Sequence, residues 1–340
     1  MAAMIEALPL QQLDYVPEAL LTAKPEQLHD SFPHPTLFHL KGKQTQPIFV
    51  SVMLHGNEPT GFLALQTLLK KYQQQTLPRS LSFFLGNTLA AKEKMRRLPE
   101  QPDYNRVWPG TEQAQSPESL MMKNIIANMQ QRQILLSVDI HNNTGLNPHY
   151  ACVNKLDDPF LQLASLFSRL VVYFTRPKGV QSAALAELCP AVTLECGQPG
   201  QHYGVDHAVQ FLETCLTIDH LPDRPVAPRD IDVFRTVAQV TVKKDCRFSF
   251  NDDSVDLLLS RELEKLNFTE VATGTIFGKV ANLNELPLIA LDQSGTNRTD
   301  DFFDLESNHL IFKKKAMPSM LTLNETIIRQ DCLCYLMERT

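Results

Sequence analysis

The sequence predicts an α/β protein in which a mixed sheet is flanked by helices and followed by a smaller C-terminal β-rich domain. Three observations carry that expectation. Short, largely apolar runs recur at residues 48–54, 81–85, 134–140 and 191–195. Between them lie segments whose apolar residues fall at helical spacing, such as Phe62, Leu65, Leu68 and Leu69. A linker at residues 219–228 carries Pro222, Pro225 and Pro228, which suit neither helix nor strand.

Taken in order, residues 1–40 form a proline-punctuated leader expected to pack over the first domain. Residues 48–54, bounded by Pro47 and Gly56, read as a buried parallel strand, and residues 60–75 as a helix. A strand at 81–85 leads through Gly86-Asn87-Thr88 to a helix at 89–97, and Ser116-Pro117-Glu118 is a start signal for a helix at 119–131. Strands at 134–140, 149–153, 170–175 and 191–195, with helices at 159–168 and 206–216, complete a first domain over 1–220. Beyond the linker, 232–248, 271–280, 286–291, 308–313 and 333–337 read as short strands of a β-rich domain over 229–340.

Composition narrows the function classes. A chain of 340 residues suits one catalytic domain of about 200 residues plus an accessory domain. A net charge of −6 argues against a nucleic-acid or anionic-membrane partner, either of which would favour a basic face. No stretch approaches the roughly 18 consecutive apolar residues of a spanning helix. The seven cysteines are odd in number and show no paired metal spacing. The start, Met1-Ala2-Ala3-Met4-Ile5, lacks the basic region of a signal peptide, so reduced thiols in the cytoplasm are expected.

The chemistry concentrates at His55-Gly56-Asn57-Glu58, at the C-terminal end of the first buried strand, where open α/β sheets keep their sites. An imidazole and a carboxylate at a strand-to-helix turn can converge on one divalent ion. The strand at 134–140 delivers His141, which completes a His, Glu, His set with an open position for water. Asp139, on the same strand face two residues earlier, is placed to orient a ligand. The strand at 191–195 ends in Glu195, a candidate general base toward water and general acid toward the leaving group. Two nitrogens and one carboxylate favour zinc over harder ions, one Zn2+ per chain.

The ordered set His55-Gly56-Asn57-Glu58, Asp103-Tyr104-Asn105-Arg106-Val107-Trp108-Pro109-Gly110, Asp139-Ile140-His141 and Thr193-Leu194-Glu195-Cys196-Gly197 resembles the succinylglutamate desuccinylase and aspartoacylase family, within the M14-type zinc carboxypeptidase superfamily. The resemblance implies a zinc carboxypeptidase-like fold, with His55, Glu58 and His141 as zinc ligands and Glu195 as the catalytic glutamate. It implies that Asn105 and Arg106 hold a substrate carboxylate, for which guanidinium geometry is suited. An upstream arginine stabilises the oxyanion in the family. Arg96 and Arg97 both stand in that neighbourhood, and Arg97 is the favoured choice, with Arg96 left to substrate binding.

Two features depart from the family pattern: Trp108 stands where phenylalanine is usual, and the loop Asn142-Asn143-Thr144-Gly145-Leu146-Asn147-Pro148-His149-Tyr150 is unfamiliar. The expected activity is hydrolysis of an amide in a small, carboxylate-bearing substrate such as an N-acyl amino acid. A metallocarboxypeptidase acting on short peptides or cell-wall peptides, a non-catalytic metal or ligand-binding protein, and a cysteine hydrolase using Cys196 are the alternatives. Strand alternation puts Cys196 on the face opposite Glu195, which favours a structural thiol. His149, His202 and His207 read as rim, capping or surface residues, and His29, His34 and His39 as parts of the leader. Assembly into a homo-oligomer is left open by the sequence.

Overall fold

A computed structural model describes residues 5–281 and 285–340. Residues 1–4, part of the start read above as lacking a signal peptide, lie outside the described residues. The chain divides into two compact units, the first comprising the chain up to Asn142 together with His149–Asp232, the second Asn143–Pro148 together with Val233–Thr340.

The first unit is built on strands β1 (Gln11–Leu13), β2 (Thr36–Leu40), β3 (Gly42–Val52), β4 (Leu77–Leu85), β5 (Ser137–His141), β6 (Tyr150–Val153), β7 (Leu170–Tyr173) and β8 (Ala191–Glu195). They lie in the order β1-β2-β4-β3-β5-β8-β6-β7. The four central strands, β4, β3, β5 and β8, run parallel, while β2 and β6 enter antiparallel. Helices α1 (Glu18–Thr22), α2 (Leu28–Ser31), α3 (Thr60–Lys71), α4 (Thr88–Lys92), α5 (Pro117–Gln131), α6 (Asp158–Ser165), α7 (Gln181–Leu185) and α8 (His202–Thr217) accompany it. This is the mixed sheet flanked by helices that the sequence predicts.

Local chemistry accounts for the boundaries. Residues 47–52 of β3 are all buried, whereas 42–46 are largely exposed, so the strand extends beyond the apolar run that announced it. Helix α5 begins where Ser116 and Ser119 exchange side-chain and backbone hydrogen bonds, with Pro117 at its first position. Helix α4 stops five residues before Arg97. Lys94 adopts a left-handed φ of 53°, its N–H donates to Ala91 O, and the N–H of Met95 donates to Ala90 O. Those two bonds form a Schellman cap, which turns Arg96 and Arg97 out of the helix. The leader contributes a full strand, β2, whose Phe38 stacks on Phe83 of β4 at 4.3 Å between ring centroids.

The second unit contains β9 (Asp232–Val242), β10 (Phe248–Ser249), β11 (Leu257–Leu259), β12 (Ile276–Val280), β13 (Leu288–Leu291), β14 (Phe303–Glu306), β15 (His309–Phe312), β16 (Met317–Ser319) and β17 (Cys334–Arg339), with short helices α9 (Thr299–Phe302) and α10 (Glu325–Gln330). Antiparallel pairing joins β13, β9, β17 and β16. A five-stranded sheet runs β10-β11-β12-β15-β14 around a cluster of Phe277, Phe303 and Phe312.

The division differs in detail from the proline linker. Residues 219–228 group with the first unit, where Gln162 Nε2 donates to Arg224 O. Residues 143–148 group with the second, where Asn267 Nδ2 donates to the carbonyls of Leu146 and Leu321. All seven cysteines are free and buried. Among the described residues no helix is long and apolar enough to cross a membrane.

Candidate metal centre and active site

The site forms at the C-terminal ends of β3, β5 and β8. Beyond β3 the buried Met53 takes a left-handed φ of 58° and swings the chain into the turn His55-Gly56-Asn57-Glu58-Pro59 that opens α3. Gly56 is required there because a Cβ would lie 2.2 Å from the backbone of Ala90. The same turn is pinned by Gly56 N–H donating to Arg96 O at 3.2 Å.

His55, Glu58 and His141 are all buried, and their candidate ligand atoms lie within 4.8 Å of one another. Nδ1 of His55 sits 2.8 Å from Oε1 of Glu58, and Nδ1 of His141 sits 2.7 Å from Oε2. The opposite ring nitrogens are held by further carboxylates. Nε2 of His55 lies 2.9 Å from Oδ1 of Asp103, and Nε2 of His141 lies 2.7 Å from Oδ2 of Asp139. A histidine whose second nitrogen meets a carboxylate is fixed in orientation and made a better donor to a metal. The two Nδ1 atoms and the Glu58 carboxylate therefore suit a zinc ion with an open position.

Beneath these ligands a polar layer crosses otherwise apolar strands. Ser51, Asp139 and Thr193 are register neighbours on β3, β5 and β8. Ser51 Oγ donates to Asp139 Oδ1 at 2.5 Å, and Thr193 Oγ1 donates to Ser182 Oγ at 3.0 Å. A fully buried carboxylate is costly unless its lone pairs are met, and Asp139 meets that demand through Ser51, His141 and Asn105.

The electrostatics follow from this crowding. Burial would push the Glu58 carboxyl up, but the charges of His55 and His141 and their hydrogen bonds hold it below the ordinary carboxylate range. Burial likewise opposes ionisation of Asp103, yet Arg96, His55 and Arg106 hold its carboxyl well below the usual value. Burial disfavours a charged His141, whereas Asp139 and Glu58 raise it well above the usual imidazole value.

The two arginines separate. Arg96 is buried, with Nε 2.9 Å from Asp103 Oδ2 and a guanidinium nitrogen 3.6 Å from Glu58 Oε1. Arg97 instead turns to the backbone carbonyls of Leu98, Pro99 and Gln101, the last at 2.9 Å. Asn105 is occupied by the protein: its Nδ2 lies 3.2 Å from Asp139 Oδ2 and 3.1 Å from His141 Nε2, and its Oδ1 accepts from Gln181 N–H at 2.8 Å. Arg106 is half-buried and donates to Asn105 O at 2.8 Å.

Glu195 ends β8 as the register partner of His141, so the two side chains rise from adjacent parallel strands on one face. Cys196 is fully buried, and burial followed by the Glu195 charge pushes its thiol well up. That is the reverse of the environment a nucleophilic thiolate needs. Trp108 is fully buried in the core, packed edge-on against Phe84. His149 stacks with Phe167, Tyr203 and His207.

Residues 44–221, just over half of the chain, match the family model described as the succinylglutamate desuccinylase/aspartoacylase catalytic domain. The chain belongs to the succinylglutamate desuccinylase/aspartoacylase family. No curated protein sequence matches it. Solved structures share the fold. A succinylglutamate desuccinylase from Vibrio parahaemolyticus is 18% identical with a TM-score of 0.58, covering 87% of this chain and 82% of that one. One from Chromobacterium violaceum is 16% identical with a TM-score of 0.57, covering 87% and 85%. Murine aminoacylase 3 is 12% identical with a TM-score of 0.56, covering 88% and 96%. At these identities the likeness establishes the fold.

Within this member of the family, sequence reasoning singled out the three candidate ligands, Asp139 and Glu195. It gave Asp103 no role of its own, though Asp103 stands in the quoted motif two residues before Asn105. It also missed Ser51 and Gln181, whose positions in a strand and at a helix start carry no local signal of chemistry.

Proposed function

We infer that the protein is a zinc-dependent hydrolase that cleaves the amide bond of a small, carboxylate-bearing substrate, an N-acyl amino acid deacylase. One observation carries the reading: two histidine Nδ1 atoms meet the two oxygens of Glu58, each histidine is braced by its own aspartate, and Glu195 stands in register beside His141. Family membership supports a hydrolytic deacylase.

His55, Glu58 and His141 would hold the ion, which supplies Lewis acidity toward the carbonyl and lowers the pKa of a water. Glu195 takes a proton from the attacking water and returns it to the departing amine. Arg96 is the better placed arginine for the developing oxyanion, because it reaches Glu58 while Arg97 is spent on loop carbonyls. Arg106 supplies a guanidinium for the substrate carboxylate. Asn105, with its amide already bonded to Asp139 and Gln181 beside the His141 ring, steadies the ligand rather than the substrate. The free, buried thiols accord with a reducing compartment such as the cytoplasm.

The test is metal content of the purified protein together with hydrolysis of a panel of N-acyl amino acids and dipeptides, with and without chelator. Zinc near one per chain, turnover lost on chelation and preference for N-acyl amino acids would support the reading. Preference for dipeptides would assign a carboxypeptidase, and binding of zinc without any turnover would leave a metal-binding protein on this fold.

A further inference from the structure

We propose that Asn142 is a positioning residue that locks the catalytic Glu195 to the metal-ligand turn, an inference that rests on the deacylase reading. Asn142 follows His141 directly and is buried. Its backbone N–H donates to Glu58 Oε2 at 3.2 Å. Its side-chain Oδ1 accepts from Thr60 N–H at 3.1 Å, and its Nδ2 donates to Gly197 O at 2.8 Å. One residue thus touches a ligand, the helix behind that ligand and the backbone two residues past the general base.

Each contact meets a need that nothing closer in sequence meets. Helix α3 starts after Pro59, which has no side-chain acceptor for the first-turn N–H groups that lack an intrahelical partner. Asn142 caps that turn from the end of β5, fixing the residues that carry Glu58. On the other side, the last backbone bond of β8 to β5 is Cys196 N–H to His141 O at 3.0 Å. Beyond it Gly197 turns away with a left-handed φ of 73°, and its carbonyl is held by Asn142 Nδ2. Only a short planar amide presents an acceptor and a donor at once with this reach. An aspartate has the same shape but would set an oxygen against the Gly197 carbonyl. An alanine makes neither bond.

The arrangement differs from that of Asn105, whose side chain lies under His141 and reaches Asp139. Asn142 bridges two backbones that carry different catalytic groups. A shift of about 1 Å between such groups costs about 10²-fold in rate, so the expected signature is in turnover rather than in substrate affinity.

The test compares Asn142→Asp and Asn142→Ala with Gln66→Ala. Gln66 is a buried amide that donates to the carbonyls of Leu20 and Ala23, remote from the site, and controls for loss of stability alone. Zinc stoichiometry, Tm, kcat, KM and amide hydrogen exchange over residues 196–200 are measured on the full chain, the last with zinc removed as well as loaded. The expected result is zinc near one per chain in every variant, KM close to wild type, kcat down about 10²-fold in both Asn142 variants, and faster exchange at 196–200 in those two alone. Gln66→Ala loses Tm and keeps kcat. Should Asn142→Ala fail to fold, the isosteric Asn142→Asp carries the comparison. Wild-type kcat in the Asn142 variants, or a loss that Gln66→Ala reproduces at equal Tm, overturns the proposal while leaving the deacylase reading intact. A wild-type protein that binds zinc and hydrolyses nothing in the panel removes both.

Discussion

Oδ1 of Asp103 lies 2.9 Å from Nε2 of His55. The other oxygen of the same carboxylate accepts from Arg96 at 2.9 Å, so one buried side chain orients the proposed ligand His55 and Arg96 together. Asp103→Asn keeps the shape and weakens both links. It is expected to lower zinc affinity by about 10- to 100-fold, read by competition with a chelating dye. Unchanged affinity would show that His55 needs no carboxylate behind it.

Arg96 and Arg97 should respond in opposite ways. Arg96→Ala strands the buried Asp103 charge and is expected to cost about 3–5 kcal/mol of stability, together with most of the activity. Arg97→Ala gives up a hydrogen bond to Gln101 O, worth about 1 kcal/mol, and should leave turnover near wild type. Denaturant melts and steady-state rates of the two variants separate the roles; a large rate loss in Arg97→Ala alone would restore the choice made from sequence.

Glu195→Gln removes the proposed proton acceptor while keeping a side chain of the same size. Turnover should fall by about 10²- to 10⁴-fold with zinc still bound near one per chain. Loss of zinc in this variant would instead make Glu195 part of the metal set.

His39 gives a pH dependence far from the metal. Its ring is half-buried on β2, with Nδ1 2.9 Å from Ser82 Oγ. Burial, and then the Arg132 charge, lower its pKa from 6.5 to about 4. Between those values the unfolded chain binds the proton and the folded one does not, so the stability contribution is complete above 6.5 and is lost as pH falls toward 4. His39→Gln should flatten the stability slope in that window, measured by urea melts at several pH values.

The legibility of this fold varied with the kind of signal each residue carries. Strands β5 and β8 are short, wholly buried and end in a histidine and a glutamate, so apolar pattern and chemistry coincide and the cluster of candidate ligands was legible. Strand β1, helices α1 and α2 and strand β2 lie among prolines that hid their pairing with the sheet. Arg96 was harder still. Helical spacing runs on to Arg97, and only the left-handed Lys94, a choice of backbone conformation rather than of residue type, ends α4 early and brings Arg96 beside Asp103 and Glu58. Asn142 looked like the start of a loop because its partners, Thr60 and Gly197, are distant in sequence.

The buried cysteines turn the chain into its own unfolding reporter. Cys152, Cys189, Cys196 and Cys215 belong to the first unit and Cys246, Cys332 and Cys334 to the second. A thiol shut in the core is shielded from alkylation until the surrounding packing opens. Brief pulses of an alkylating reagent during thermal or chemical stress, followed by peptide mass analysis, would tell which of the two units opens first, without any engineered label.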